Sequence, residues 1–153
     1  MSTVNRALTA VVTMVAIAHI AWTDTPIAHA QQVGDLRQKI ELDASERAFV
    51  LSEMRTFLES VEGIVSAVAG DRVAETATAA SKSGMTIMHE VPPALRQKLP
   101  MEFTKLGHAT HHAFDALAEE SKSMGDGKVV LKQLETILRN CNTCHASYCP
   151  SGR

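Results

Sequence analysis

Apolar residues recur at steps of three and four along most of this chain, and this periodicity limits the fold more than any other feature of the sequence. The clearest stripe lies between Asp43 and Ala69 and consists of Val50, Leu51, Met54, Phe57, Leu58, Val61, Ile64, Val65 and Val68. Asp43 followed by Glu46 resembles a capping box, and Gly70 is suited to end a helix. We therefore predict a first helix over residues 43–69, with residues 31–42 either extending it or lying loosely.

Three further helices follow from similar patterns. The second is predicted from residue 71 or 72 to residue 82, with Asp71 as its cap, and it resumes over residues 85–89. After a loop with a short turn at residues 94–98, the third begins near Pro100, and its buried stripe is Phe103, Leu106, Gly107, Thr110, Phe114, Leu117 and Ala118. A turn at residues 125–127 precedes the fourth. No strand pattern or internal repeat is seen, so the predicted fold is all-α, an antiparallel four-helix bundle.

The fourth helix carries two cysteines and a histidine close together, and these side chains can form thioethers or bind a metal. Its stripe is Val130, Leu131, Leu134, Ile137, Leu138, Cys141, Cys144 and His145. Two cysteines three residues apart lie on one helical face, and a histidine after the second can reach a metal beside them. This Cys-x-x-Cys-His pattern is the attachment site of a c-type haem, in which both thiols form thioethers with the haem vinyl groups. We predict one covalent haem c, with His145 as an axial ligand of its iron.

The same residues have three other interpretations. A redox Cys-x-x-Cys usually begins a helix in a strand–helix–strand context, which this sequence lacks. A zinc site would normally need a second ligand pair, and no second Cys-x-x-Cys occurs. A disulfide between Cys141 and Cys144 is the third alternative, in an oxidising compartment.

The first thirty residues predict an export signal. Arg6 is followed by an apolar stretch over residues 7–21, and Ala28-His29-Ala30 is a small-x-small cleavage site. The apolar stretch is short for a membrane span, although an uncleaved anchor is the alternative. Because bacteria attach haem covalently on the periplasmic side, the signal and the haem motif agree. We predict a signal peptide over residues 1–30, one domain over residues 31–153 and a periplasmic location.

Size and charge narrow the functional classes. The 153-residue chain has a formal net charge of −2, which argues against a nucleic-acid partner. Beyond the signal no long apolar segment occurs, so no membrane association is predicted after cleavage. Aromatic residues are few, and a small aliphatic core of this kind gains stability from a bound cofactor.

The export signal, the four amphipathic helices and the haem motif in the last helix together resemble the class II c-type cytochromes, the cytochrome c-prime family. One branch of that family leaves the far side of the iron open and binds gases. The other places a methionine of the first helix on the iron, about four turns before the end of that helix. Met54 lies sixteen residues before Gly70 and so matches that position. The resemblance thus implies Met54 as the second axial ligand of the iron, whereas the residue alone also suits a packing role.

Other residues carry weaker hypotheses. Four further methionines compete with Met54 for the iron: Met85, Met88, Met101 and Met124. Three histidines on the third helix, His108, His111 and His112, are interpreted as a polar face, because no third metal ligand accompanies the His108–His112 pair. Where the family commonly has a basic residue, four positions after the haem histidine, this chain has Cys149. We predict a free thiol there, with a disulfide-linked homodimer as the alternative.

The resulting functional hypothesis is a periplasmic electron carrier rather than an enzyme, because no nucleophile, base and orienting group can be assembled. Its partners would be redox proteins that it meets transiently. The main alternative is a five-coordinate haem protein that binds nitric oxide or carbon monoxide. A haem-containing subunit of a larger redox complex is the third hypothesis.

Overall fold

The computed structural model describes residues 34–123 and 125–152, which form one compact unit from Asp35 onward. The predicted signal peptide and the first residues of the predicted domain lie outside this part. Within it, five α-helices and one 3-10 helix account for most residues, as an all-α prediction requires. None of the helices described is both long and apolar enough to span a bilayer.

Helix α1 spans Ala44–Ala69 and confirms the predicted first helix with its cap. The Asp43 carboxylate accepts hydrogen bonds from the backbone N–H groups of Ser45 and Glu46, both at 2.9 Å. The Glu46 carboxylate accepts in return from the backbone N–H of Asp43, which completes the capping box. These bonds satisfy N–H groups that the first turn leaves without helical partners.

The link after α1 corrects the prediction for Asp71. Asp71 does not cap the second helix, because it takes a left-handed backbone with φ of 56°. Gly70 has a φ of −96°, a backbone conformation that residues other than glycine also adopt. Aspartate tolerates the left-handed region better than most residues, so it makes the reversal. Helix α2 begins later, spans Glu75–Ser81 and has no side-chain cap.

The region between α2 and the next long helix contains two short elements. A 3-10 helix spans Met85–Glu90, where a helical continuation was predicted, and α3 spans Pro93–Lys98, where a turn was predicted. Arg96 holds this region together, since its guanidinium donates to the carbonyl oxygens of Val91 and Met88, both at 3.1 Å.

The two remaining helices lie where the periodicity predicts them. Helix α4 spans Met101–Ser123, and α5 spans Gly127–Ser147. Asp126 caps α5 by accepting from the backbone N–H of Lys128 at 2.8 Å. Helix α4 packs against α2 and α5, and α1 packs mainly against α2, with far less contact to α5.

Two short strands correct the prediction that the chain has none. Strand β1, Gln38–Glu41, pairs in parallel with β2, Tyr148–Ser151, so that Lys39 lies opposite Cys149. Residues 31–42 therefore do not extend α1 in their described part. A strand of four residues with a single buried side chain, Ile40, is too short to produce a recognisable alternation.

Two apolar clusters form the interior. The helix core joins α1, α2, α4 and α5 and consists of Ile64, Ala80, Phe114, Leu117, Ala118, Val130, Leu134 and Ile137. The sheet-side core consists of Ile40, Leu42, Val50, Val91 and Leu95. Tyr148 of β2 packs edge-on against Phe103 of α4, with ring centroids 5.5 Å apart. The chain after α5 is thereby tied to both β1 and α4.

Candidate functional site

A cavity of about 730 Å³ adjoins the sheet-side core, and all four predicted haem-binding residues, Met54, Cys141, Cys144 and His145, line it. Its volume lies within the range of about 300–1,000 Å³ that small-molecule and cofactor sites occupy. The walls come from α1, the 3-10 helix, α3, α4 and α5, and most of the lining side chains are apolar. Those from α1 include Val50, Leu51, Met54, Phe57, Leu58 and Val61; the others include Met85, Met88, Val91, Leu95, Leu99, Phe103, Leu106 and Leu138.

The motif of α5 forms one wall of this cavity. Cys141, Cys144 and His145 all line it, and they lie in the last two turns of the helix. Cys141 and Cys144 are half-buried, and Cys141 also packs against the helix core, whereas His145 is exposed. The helical spacing predicted from sequence thus places two thiols and an imidazole on one apolar cavity.

Both motif thiols are free in the structure. Burial raises the pKa of the Cys141 thiol, and burial with repulsion from Cys141 raises the pKa of the Cys144 thiol. Reactive redox pairs have lowered thiol pKa values, usually at a helix N-terminus. A pair at the C-terminal end of a helix, with raised pKa values, does not suit that chemistry.

Met54 lies on helix α1, far from the α5 motif in the sequence. Its side chain lines the same cavity as the α5 motif and is half-buried. Two competing methionines, Met85 and Met88, also line this cavity, from the 3-10 helix. Met101 does not line it and is 70 % exposed, and Met124 lies outside the described residues. Among the described residues, three methionines therefore remain as possible thioether donors near the motif.

Glu53 places a carboxyl group on the cavity wall, and the sequence analysis did not single it out. Its Oε1 atom is buried without a hydrogen-bond partner among the described residues. Burial, with repulsion from Glu90, raises the pKa of the Glu53 carboxyl to about 7. The apolar surroundings therefore favour the neutral acid.

His111 corrects the prediction of a polar histidine face. His108 and His112 are exposed, but His111 is only 2 % exposed and lines the cavity. Its Nδ1 lies 2.8 Å from the carbonyl oxygen of Ser83, so Nδ1 carries the proton of the neutral ring. Its ring also packs on Phe57, with centroids 4.9 Å apart. Neighbouring positions on a helix can face core and solvent, and sequence alone did not separate them.

The burial of His111 predicts a pH-dependent stability. Burial lowers the pKa of His111 from its ordinary value of 6.5. As the pH falls below about 6.5, the unfolded chain binds this proton before the folded protein does, so stability falls. We expect His111→Gln to lose about 2 kcal/mol at neutral pH, with one hydrogen bond and its packing weakened, and to show a shallower loss on acidification.

Urea unfolding at a series of pH values, followed by circular dichroism, measures this effect. His112→Gln is the matched control, since it removes an exposed histidine from the next position of the same helix. Parallel pH profiles for His111→Gln and the wild type would contradict the prediction.

Arg37 is a second residue that the sequence analysis missed. Its guanidinium donates to the carbonyl oxygen of His145 at 3.2 Å and is paired with Asp35 at 2.6 Å. Arg37 thus places a basic group beside the end of α5, from the segment before β1. Because 108 residues separate Arg37 from His145, no local sequence pattern indicates this contact.

Cys149 lies in β2, half-buried, and does not line the cavity. If the protein carries the haem predicted from the motif, we expect Cys149→Ser to keep the haem content of the wild type. Haem absorbance per polypeptide measures this, and non-reducing gels show whether Cys149 links two chains. A large loss of haem-containing protein in Cys149→Ser would contradict the prediction.

Within the described residues, no three side chains of His, Cys, Asp or Glu form a group that could hold a metal ion. In comparisons with protein-family models, with curated proteins and with solved structures, nothing matches this chain.

Proposed function

We propose that this protein is a periplasmic electron carrier of the class II cytochrome c type, with one covalently attached haem in the cavity. The observation that carries the proposal is that Met54 lines the same apolar cavity as Cys141, Cys144 and His145. The first of these residues lies on α1 and the other three on α5, so 87 positions separate Met54 from Cys141 in the chain. The sequence motif alone does not require this meeting.

The side chains present suit a haem. Two thiols at a spacing of three residues match the two vinyl groups, and both are free and line the cavity. His145 offers an imidazole and Met54 a thioether, both of which bind haem iron. The aliphatic and aromatic walls suit the faces of a flat macrocycle and exclude water from it.

Haem in this site would supply one-electron chemistry, and the residues of the chain would set its potential. A thioether ligand favours ferrous iron and raises the potential relative to two histidines. Met54 on α1 and His145 on α5 would hold the iron in both oxidation states, so the structural reorganisation on electron transfer would be small. Cys141 and Cys144 are only half-buried, and the edge that they hold is the proposed exit for electrons.

The arrangement of helices in this proposal is the antiparallel four-helix bundle expected from sequence, built from α1, α2, α4 and α5. The shared helix core of these four elements supports it. The proposed redox partners dock transiently near the motif end of α5, and export to the periplasm follows from the predicted signal peptide.

Gas binding is the second candidate function and differs in the role of Met54. The apolar wall around Met54 supports this function. Phe57 and Leu58 of the same helix form that wall, which would accommodate nitric oxide or carbon monoxide. In that case Met54 only packs in the cavity, and the iron keeps one open position.

Two measurements on the exported protein test the proposal. Acid–acetone extraction removes haem that is not covalently attached, so retained haem supports the thioethers and complete extraction overturns them. The absorption spectrum of the reduced protein then separates the two functions. Sharp α and β bands indicate a six-coordinate low-spin iron, whereas a broad high-spin spectrum with ready carbon monoxide binding favours the gas-binding function.

A further inference from the structure

Two arginines line the apolar cavity without a carboxylate partner. Arg55 of α1 forms no side-chain hydrogen bond or ion pair with any described residue. Arg96 of α3 donates only to the carbonyl oxygens of Val91 and Met88, which carry no net charge. Both arginines are exposed to solvent, so their guanidinium groups are accessible to an anionic group of a ligand in the cavity.

The arginines elsewhere in the described chain show the contrast. Arg37, Arg72 and Arg139 are each paired with a carboxylate, within the distances of a salt bridge. Three described arginines lack such a pair, and all three are exposed. Two of them line the cavity, and the third, Arg47, lies on α1 outside it. The unpaired guanidinium groups are therefore concentrated at this site.

The acidic side chain on the described cavity wall does not neutralise them. Glu53 forms no ion pair with Arg55 or Arg96, and its Oε1 atom has no hydrogen-bond partner among the described residues. The cavity thus combines apolar walls with an excess of positive charge. This combination fits a flat apolar ligand that bears carboxylates, since guanidinium groups form bidentate hydrogen bonds with carboxylates.

We propose that Arg55 and Arg96 are the anion-binding residues of the cavity and hold the carboxylates of its ligand. For the identity of that ligand this inference rests on the proposed function, under which the carboxylates are the two haem propionates. It does not depend on the thioethers or on the iron ligands. Arg96 has a second role, because the same guanidinium fixes the 3-10 helix and α3 that cover the cavity.

Mesoporphyrin tests the inference apart from iron and thioethers, since it contains no metal and has ethyl groups in place of vinyl groups. The full chain with Cys141→Ala and Cys144→Ala is titrated with mesoporphyrin and, separately, with its dimethyl ester, and porphyrin fluorescence reports binding. We expect the free acid to bind about tenfold more tightly than the ester. Arg55→Gln and Arg96→Gln should each weaken the free acid about tenfold and leave the ester unchanged.

Arg47→Gln is the matched control, since it removes an unpaired arginine from the same helix outside the cavity, and it should change neither affinity. Equal affinities for acid and ester in the parent chain would overturn the inference. If Arg96→Gln weakened the binding of the acid and of the ester equally, Arg96 would only hold the 3-10 helix and α3 in place and would not bind the carboxylates.

The holoprotein provides a second readout that does not require the double variant to fold. The propionate bending band of its resonance Raman spectrum should shift in Arg55→Gln and in Arg96→Gln but not in Arg47→Gln, and an unshifted band in both variants would contradict the assignment. If the wild-type chain carries no covalent haem, the proposed function fails, and the wild-type chain itself then takes the place of the double variant in the titrations.

Discussion

Under the proposed function, replacing Met54 with leucine is expected to convert a low-spin, six-coordinate haem protein into a high-spin one that binds carbon monoxide. Leucine preserves the volume and the apolar character of the side chain, so the packing cost should stay below about 1.5 kcal/mol. A large spectral change would therefore report a lost thioether ligand rather than a damaged core. The weak far-red band from sulfur to ferric iron should disappear. The midpoint potential should fall on the order of 0.1 V, because axial ligands set much of the potential of a haem.

Met88→Leu is the matched control for this experiment. Met88 lines the same cavity from the 3-10 helix, so Met88→Leu changes another cavity thioether by the same chemistry. It should keep the low-spin spectrum and the potential of the wild type. If Met88→Leu becomes high-spin instead, Met88 is the ligand, and a wild type that is already high-spin would overturn ligation by Met54 altogether.

The second large effect is expected when both motif cysteines are replaced. Cys141→Ala with Cys144→Ala should abolish all haem that survives acid–acetone extraction, because no thiol then remains on the cavity wall. Each single variant keeps one thiol on α5 and should retain at most one thioether, which shifts the α band of the pyridine haemochrome. Loss of the bound cofactor should also lower the resistance to urea, since a ligand held only by the folded state stabilises it.

Cys149→Ser serves as the control for the cysteine variants. Its side chain lies in β2 and does not line the cavity, so any general effect of losing a thiol would show in it as well. Extraction-resistant haem in the double variant would mean that another residue makes the covalent bond, and the proposed attachment would then be wrong.

Local chemistry explains which elements were predictable. Asp43 and Glu46 lie within one helical turn of each other, so their reciprocal hydrogen bonds could be recognised in the sequence and are found in the structure. The turn before α5 is similarly local, with Asp126 at its cap. The spacing of Cys141 and Cys144 places both on one side of α5 for the same reason. Asp71, by contrast, resembled a helix cap but makes the preceding reversal, because a short sequence cannot distinguish these two uses of aspartate.

The sequence by itself determined the long helices and the motif, because helical periodicity and capping depend on residues within a few positions of each other. Met54 became a candidate ligand through the resemblance of the sequence to the class II c-type cytochromes. Only the tertiary structure decided what these elements meet. It pairs β1 with β2, where Ser151 Oγ donates to the carbonyl oxygen of Ile40 across 111 positions, and it brings Met54, Met85 and Met88 to one cavity. It also buries His111 and gathers the unpaired Arg55 and Arg96. Such contacts arise when segments distant in the sequence pack together, so the pattern of residues along the chain does not indicate them.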